Sequence, residues 1–381
     1  MGAACQQVQV TDRPSQLVSE LTELGLKENL GACADGPFYR SDYVIAHRGA
    51  PLGYPEHSAA GYRAAANMGA GLIECDVTFT SDRQLVCRHS QCDLHRTTNI
   101  LETPLAAQCS SPFTSATAET EADAKCCTTD ITLTEYQTLC ARPDHVNADA
   151  KSVAEYLTLP EPRVVGDLTS CGQLLTHAES IELIDSLNAK FVPELKAPMV
   201  DMPYKDMSQA DYAEKMIEEY EQAGISLERV FPQSFNLGDV WHWIKQYPQI
   251  SDQVVFLDGR GRDPAFKPSL EDMQNLYNKG LRIIAPPIPV LVQLNDSGDI
   301  VASQYAEFAK AAGLEIITWT FEAGVATDPR NFTYFTTRDA IKTEGDTLRV
   351  LHALNEQVGI KGIFTDWAGT VTYYASCLGL E

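Results

Sequence analysis

Four short segments hold the side chains best suited to chemistry. Ile45-Ala46-His47-Arg48-Gly49 puts an imidazole beside a guanidinium, just before a glycine that permits a sharp turn. An imidazole moves protons near neutral pH, and a guanidinium grips phosphate or carboxylate through paired hydrogen bonds. In Ile73-Glu74-Cys75-Asp76-Val77, strand alternation points Glu74 and Asp76 one way and Cys75 the other. Two buried carboxylates are costly unless a cation or donors satisfy them. Pro193-Glu194-Leu195-Lys196 repeats the arrangement, with Glu194 and Lys196 on one face. Three carboxylates without thiolate or imidazole favour Ca2+ or Mg2+ over zinc, and Lys196 adds a positive charge suited to a phosphate. The fourth segment, Val86-Cys87-Arg88-His89-Ser90, supplies a second imidazole. Two histidines can act as base and acid in one step and exchange roles in the next.

These groups need strand ends to hold them. Short apolar runs predict strands at Tyr43–His47, Leu72–Val77, Phe191–Leu195, Val230–Ser234, Val254–Leu257, Arg282–Ala285, Ile316–Thr320 and Gly362–Thr365. Helical spacing between them predicts helices at Ser58–Met68, Ala178–Leu187, Gln209–Ala223, Leu237–Gln246, Leu270–Asn278, Ser303–Ala312 and Asp346–Val358. Eight strand–helix units imply an α/β fold closed as a (β/α)8 TIM barrel, whose catalytic groups sit at strand C-termini. Thr78–His89 reads as a hairpin after the second strand, with a turn that sets His89 beside Asp76. His47 and His89 are then expected to face one cavity.

The expected domains are an N-terminal helical extension at 1–40, with one helix from Ser15 to Asn29, a barrel at 41–91 and 166–381, and an insertion at 92–165. The insertion is rich in Ser, Thr, Ala and Asp, shows little periodicity, and is expected to lack a core of its own and to lie over the barrel mouth. Eleven cysteines stand in the chain, five of them between Cys92 and Cys140, without a paired zinc-type spacing. Disulfides among Cys92, Cys109, Cys126, Cys127, Cys140 and Cys171 would brace the insertion and imply an oxidising compartment, secreted or periplasmic. The odd count leaves at least one cysteine unpaired, and Cys75, inside a strand, is the expected one. Met1-Gly2-Ala3-Ala4-Cys5 shows no signal-peptide pattern.

The chain has 381 residues, 44% of them apolar, and a formal net charge of −23. No run approaches the ~18 apolar residues of a membrane span, so stable membrane insertion is not expected. The acidic balance argues against nucleic acid as a partner and against simple docking on anionic lipid.

Taken in order, these segments resemble the glycerophosphodiester phosphodiesterase family. The resemblance rests on His47-Arg48-Gly49, Pro55-Glu56-His57, Ile73–Val77, Leu85–Ser90, Arg96-Thr97-Thr98, Glu194–Lys196, Ser234-Phe235, Trp319-Thr320 and Thr365-Asp366, and spans residues 43–367. It implies cleavage of small glycerophosphodiesters to glycerol 3-phosphate and an alcohol. It implies a divalent metal, Ca2+ or Mg2+, on Glu74, Asp76 and Glu194, with Glu56 behind those ligands. It implies acid–base work by His47 and His89, phosphate contacts from Arg48 and Lys196, and Trp319 against the substrate. His57 stands where the family usually has Asn, and Ser90 where it usually has Asp. The competing readings are a related phosphodiesterase acting on lysophospholipid or sphingolipid, and a catalytically dead barrel that only binds phosphate esters.

Overall fold

Runs such as Tyr43-Val44-Ile45-Ala46 are apolar on both faces, which suits strands covered on both sides. The computed structural model describes residues 8–159, 164, 166–263 and 265–380. Among the described residues its main sheet contains eight parallel strands and one antiparallel partner, labelled in chain order. They are β1 Ser41–Ala46, β2 Ala70–Phe79, β3 Leu85–Cys87, β4 Lys190–Leu195, β5 Gln233–Ser234, β6 Val255–Leu257, β7 Ile283–Ala285, β8 Glu315–Phe321 and β9 Gly362–Thr365. Every strand expected from the sequence is present, with ends shifted by a few residues. The fold is a (β/α)8 barrel with a hairpin after its second strand.

The chain divides into two units. The first comprises Met1–His47, Ala65–Ile73 and Phe231–Glu381. Its parallel strands run in the order β5-β6-β7-β8-β9-β1, and β1 also pairs with the start of β2, Ala46 opposite Ile73. The helix expected from Ser15 to Asn29 is two helices, Arg13–Glu20 and Leu24–Gly31. The break falls where the backbone N–H and hydroxyl of Thr22 both donate to Asp346 Oδ1, which draws the chain out of its helical path. A last helix, Ala368–Leu378, was not among those expected, and Cys377 on it is disulfide-bonded to Cys33.

The second unit comprises Arg48–Ala64 and Glu74–Val230. Here β2 pairs with β3 in antiparallel register, Val77 opposite Cys87. Arg88 N donates to Asp76 O at 2.8 Å, so Arg88 rather than His89 lies directly across from Asp76. The expected register was off by one residue because Thr80 N donates to Gln84 O, which centres the turn on Asp82. Helices in this unit begin with reciprocal caps, Thr176 with Glu179 and Ser208 with Asp211, so their first N–H groups are satisfied.

Two expectations for the cysteines and the insertion fail. Cys75 is bonded to Cys87, not free. Ten of the eleven cysteines are paired, and Cys5 lies outside the described residues. The insertion has a core of its own, built from Leu94, Ile100, Ile131, Tyr136, Leu139 and Tyr156 among others. These residues are scattered singly or in adjacent pairs, without helical or strand period, so no pattern announced them. Its disulfides are Cys92–Cys127, Cys109–Cys126 and Cys140–Cys171. Peptide mapping under non-reducing conditions should return these pairs. Replacing Cys140 and Cys171 by Ser should lower unfolding stability by ~3–4 kcal/mol in the chain-entropy account of a loop of that length, measured by denaturant titration.

Candidate active site

The turn after β1 brings the first functional groups into place. Arg48 has φ 55° and Gly49 φ 98°. A Cβ at Gly49 would meet the carbonyl carbon of Gly61 and the Tyr62 ring at 3.0 Å, so only glycine suits this turn. Arg48 N donates to Glu74 Oε2 at 3.0 Å, and its Nη1 donates to Glu56 Oε2 at 3.0 Å. Its Nε lies 3.4 Å from Asp76 Oδ2. One arginine in a strained left-handed conformation thus contacts three acidic residues.

Glu74, Asp76 and Glu194 are all buried, and one ligand oxygen from each lies within 4.8 Å of the others. Lys196 Nζ is 2.6 Å from Glu194 Oε1 and 3.7 Å from Asp76 Oδ1. His57, fully buried, makes a 2.9 Å hydrogen bond from Nε2 to Asp76 Oδ2 and a 3.0 Å bond at Nδ1 to the Tyr62 hydroxyl. Burial, Asp76 and Glu194 hold the Glu74 carboxyl well above the usual carboxylate range. Burial raises Glu194 to about 8 in spite of Lys196. Burial would raise Asp76 too, but Lys196, His57 and Arg48 outweigh it and hold its carboxyl well below that range. Asp76 Oδ1 accepts no hydrogen bond. Three crowded, buried oxygen ligands, two of them with carboxyls raised above the usual range, fit a hard divalent cation.

His89 follows β3 in the same unit and makes no hydrogen bond among the described residues. Burial, with the charges of Arg48 and Lys196, lowers its imidazole to about 2. Arg88 is fully buried and its guanidinium donates to the carbonyls of Glu56, Cys87 and Thr97. It fixes the Glu56 loop against the hairpin. Ser90 N donates to Asp93 Oδ2 at 2.8 Å. Sequence reasoning gave no task to Arg88, Asp93 or His57. An arginine beside an expected catalytic histidine was the available signal for Arg88.

The remaining expected residues lie in the first unit. His47 Nδ1 is 2.6 Å from Asp366 Oδ1, so the closing Thr365-Asp366 pair supplies a carboxylate that orients this ring. Trp319 Nε1 donates to Ala285 O at 2.8 Å. The Phe235 ring meets Trp319 edge-on at 5.7 Å, and the Arg262 guanidinium lies 4.7 Å over the Trp319 ring.

The glycerophosphoryl diester phosphodiesterase family model matches residues 47–370. The chain belongs to that family. It is a phosphoric diester hydrolase by that membership. A protein of Arthroderma benhamiae named "Extracellular protein" is 40% identical over 245 residues, covering 62% of this chain and all of the relative. A solved Oleispira antarctica phosphodiesterase, in complex with the product sn-glycerol-3-phosphate, shares the fold with a TM-score of 0.52 and 16% identity, covering 88% of this chain and 97% of that one. A solved Parabacteroides distasonis glycerophosphoryl diester phosphodiesterase has a TM-score of 0.51 at 14% identity, covering 96% and 92%.

The raised carboxyls give a pH test. A group whose folded pKa is raised contributes stability below its unfolded value and loses it as pH rises through the folded value. In metal-free protein the Glu194 carboxyl should therefore contribute stability that is lost between about pH 5 and 8, read as the difference in thermal stability between wild type and Glu194→Gln across that range. Protons compete with the cation at these oxygens, so affinity for Ca2+ or Mg2+ should rise with pH and level off above about 8. Calorimetric titration and melting curves at matched pH values check both.

Proposed function

We propose that this hydrolase splits glycerophosphodiesters such as glycerophosphocholine into glycerol 3-phosphate and an alcohol, with Ca2+ or Mg2+ held by Glu74, Asp76 and Glu194. The observation that carries this reading is the buried carboxylate cluster beside Arg48 and Lys196. When bound, the cation supplies Lewis-acid polarisation of the phosphoryl oxygen. Arg48 and Lys196 hold the anionic phosphate. His47, oriented by Asp366, takes the proton from the glycerol 2-hydroxyl as that oxygen attacks phosphorus. The bond from phosphorus to the alcohol breaks, and His89 gives the departing oxygen a proton. His89 is neutral at rest. A phosphodiester anion offsets the charges of Arg48 and Lys196 that depress it and so favours its protonated form. Water then opens the cyclic phosphate with the two histidines exchanging roles. The Oleispira antarctica complex supports glycerol 3-phosphate as product.

Five disulfides, together with the name of the Arthroderma benhamiae relative, support secretion. Among the described residues no helix is long and apolar enough to cross a membrane. A second reading, action on lysophospholipid, draws on exposed Phe235, Val325, Phe332 and Phe335 in the first unit. Product release from glycerophosphocholine should exceed that from lysophosphatidylcholine. The reverse order would transfer the assignment to the lipid substrate. Excess EDTA should abolish turnover and Ca2+ or Mg2+ restore it, whereas full activity in chelator would remove the metal from the mechanism. Glu74→Gln, Asp76→Asn and Glu194→Gln should each cripple turnover in folded protein.

The histidines give a separate test. His47→Ala and His89→Ala should each lose about 10²–10⁴-fold in kcat, the usual loss of a positioned acid or base. His242→Ala should stay near wild type. Acting in the same step, the two should not multiply: the double variant should lose less than the product of the single losses. A multiplicative loss would assign them to independent steps.

A further inference from the structure

Beyond the carboxylate triad, the second unit holds another set of ligand atoms. Glu56, His89 and Asp144 each offer one, and the three lie within 4.8 Å of one another. Glu56 comes from the loop after β1, His89 from the end of the hairpin, and Asp144 from the disulfide-braced insertion. Each carboxylate is held at one oxygen by an arginine: Arg48 Nη1 on Glu56 Oε2 at 3.0 Å, and Arg96 Nε on Asp144 Oδ1. The other Glu56 oxygen, Oε1, accepts no hydrogen bond although Glu56 is only 3% exposed. A buried carboxylate oxygen without a donor is costly, and a cation beside it would remove that cost. An arginine donor on one oxygen of each carboxylate leaves the other oxygen for a cation and resembles the outer groups that orient metal ligands.

We propose that Glu56, His89 and Asp144 form a second cation site that takes a borderline transition ion such as Zn2+. One imidazole with two carboxylates is a ligand mix that zinc accepts, whereas Ca2+ and Mg2+ prefer the all-oxygen triad. Arg48 and Lys196 stand near His89 and oppose any cation there, so the site is weaker than a structural zinc site. Coordination uses a ring nitrogen lone pair of His89 and withdraws that nitrogen from proton transfer. Zn2+ therefore inhibits hydrolysis, a consequence that rests on the proposed acid–base role of His89. Binding itself does not depend on that role.

The test is calorimetric titration of Zn2+ into the full chain with the triad saturated by Mg2+, with activity followed in parallel. Wild type should bind one Zn2+ at this site. Asp144→Asn keeps an oxygen for Arg96 and should bind at least about 10-fold more weakly, as should His89→Ala. Glu74→Gln, which damages the triad, should retain the site. Equal Zn2+ binding by wild type and Asp144→Asn would overturn the proposal, and so would loss of binding in Glu74→Gln alone. Binding that depends on Asp144 but leaves turnover unchanged would uphold the site and overturn the assignment of His89 as a proton carrier.

Discussion

The repulsion among three carboxylates in one buried pocket governs what surrounds them. Strand alternation turns Glu74 and Asp76 to the same side, and Lys196 N, bonded to Val77 O, fixes the end of β4 beside β2. Charges confined at such separations in low dielectric repel strongly, so neighbouring groups must offset them. The protein answers with Lys196 between Glu194 and Asp76, Arg48 against Glu74 and Asp76, and His57 on Asp76. Burial, together with this incomplete compensation, makes Glu74 and Glu194 hold protons more tightly than ordinary carboxyls. A pocket balanced without a cation would have little affinity for one. The residual imbalance is what makes the pocket a candidate for binding one.

The compensating groups carry constraints of their own. Arg48 reaches its partners only from a left-handed backbone conformation, which the next residue, Gly49, and the bond from His57 N to Arg48 O sustain. The Glu56 carboxylate is then committed to Arg48. Burial would raise it, yet Arg48 above all, with Arg88, brings it down to about 2. Arg88 in turn ties the Glu56 carbonyl to the hairpin and to Thr97 at the start of the insertion. The insertion is therefore part of the scaffold of this pocket. Thr128 Oγ1 donates to Phe79 O at the end of β2, and Thr128 N to Gln91 O. Three disulfides and a separate core hold that scaffold where a loose loop would not.

The carboxylate triad was legible because strand alternation has a fixed period and needs only local sequence. The eight strands were legible for the same reason, as short apolar runs with helical spacing between them. Other features depended on geometry that has no local signature. The hairpin register turned on which residue of Thr80–Gln84 centres the turn, and a one-residue difference set Arg88 rather than His89 across from Asp76. The helix break at Thr22 was set by Asp346, more than three hundred residues away. The core of the insertion came from scattered apolar residues joined only in three dimensions. Cys75 looked solitary because its partner Cys87 lies on the facing strand of that same hairpin.

His57, where the family usually has Asn, shows why one departure from the pattern is compatible with the same pocket. Burial lowers its pKa and outweighs the pull of Asp76, so the ring is neutral near pH 7. A neutral imidazole has one donor and one acceptor nitrogen. Asp76 is ionised and accepts only, so Nε2 carries the hydrogen, and Nδ1 accepts from the Tyr62 hydroxyl. The ring therefore gives Asp76 Oδ2 a single uncharged donor, as a side-chain amide would. Because no full charge is added, Asp76 keeps its attraction for a cation at Oδ1, the oxygen that accepts no hydrogen bond. His57 sits at a left-handed φ of 51°, a conformation that Asn and His both adopt more readily than most residues. A charged residue here would instead have competed with the cation for Asp76.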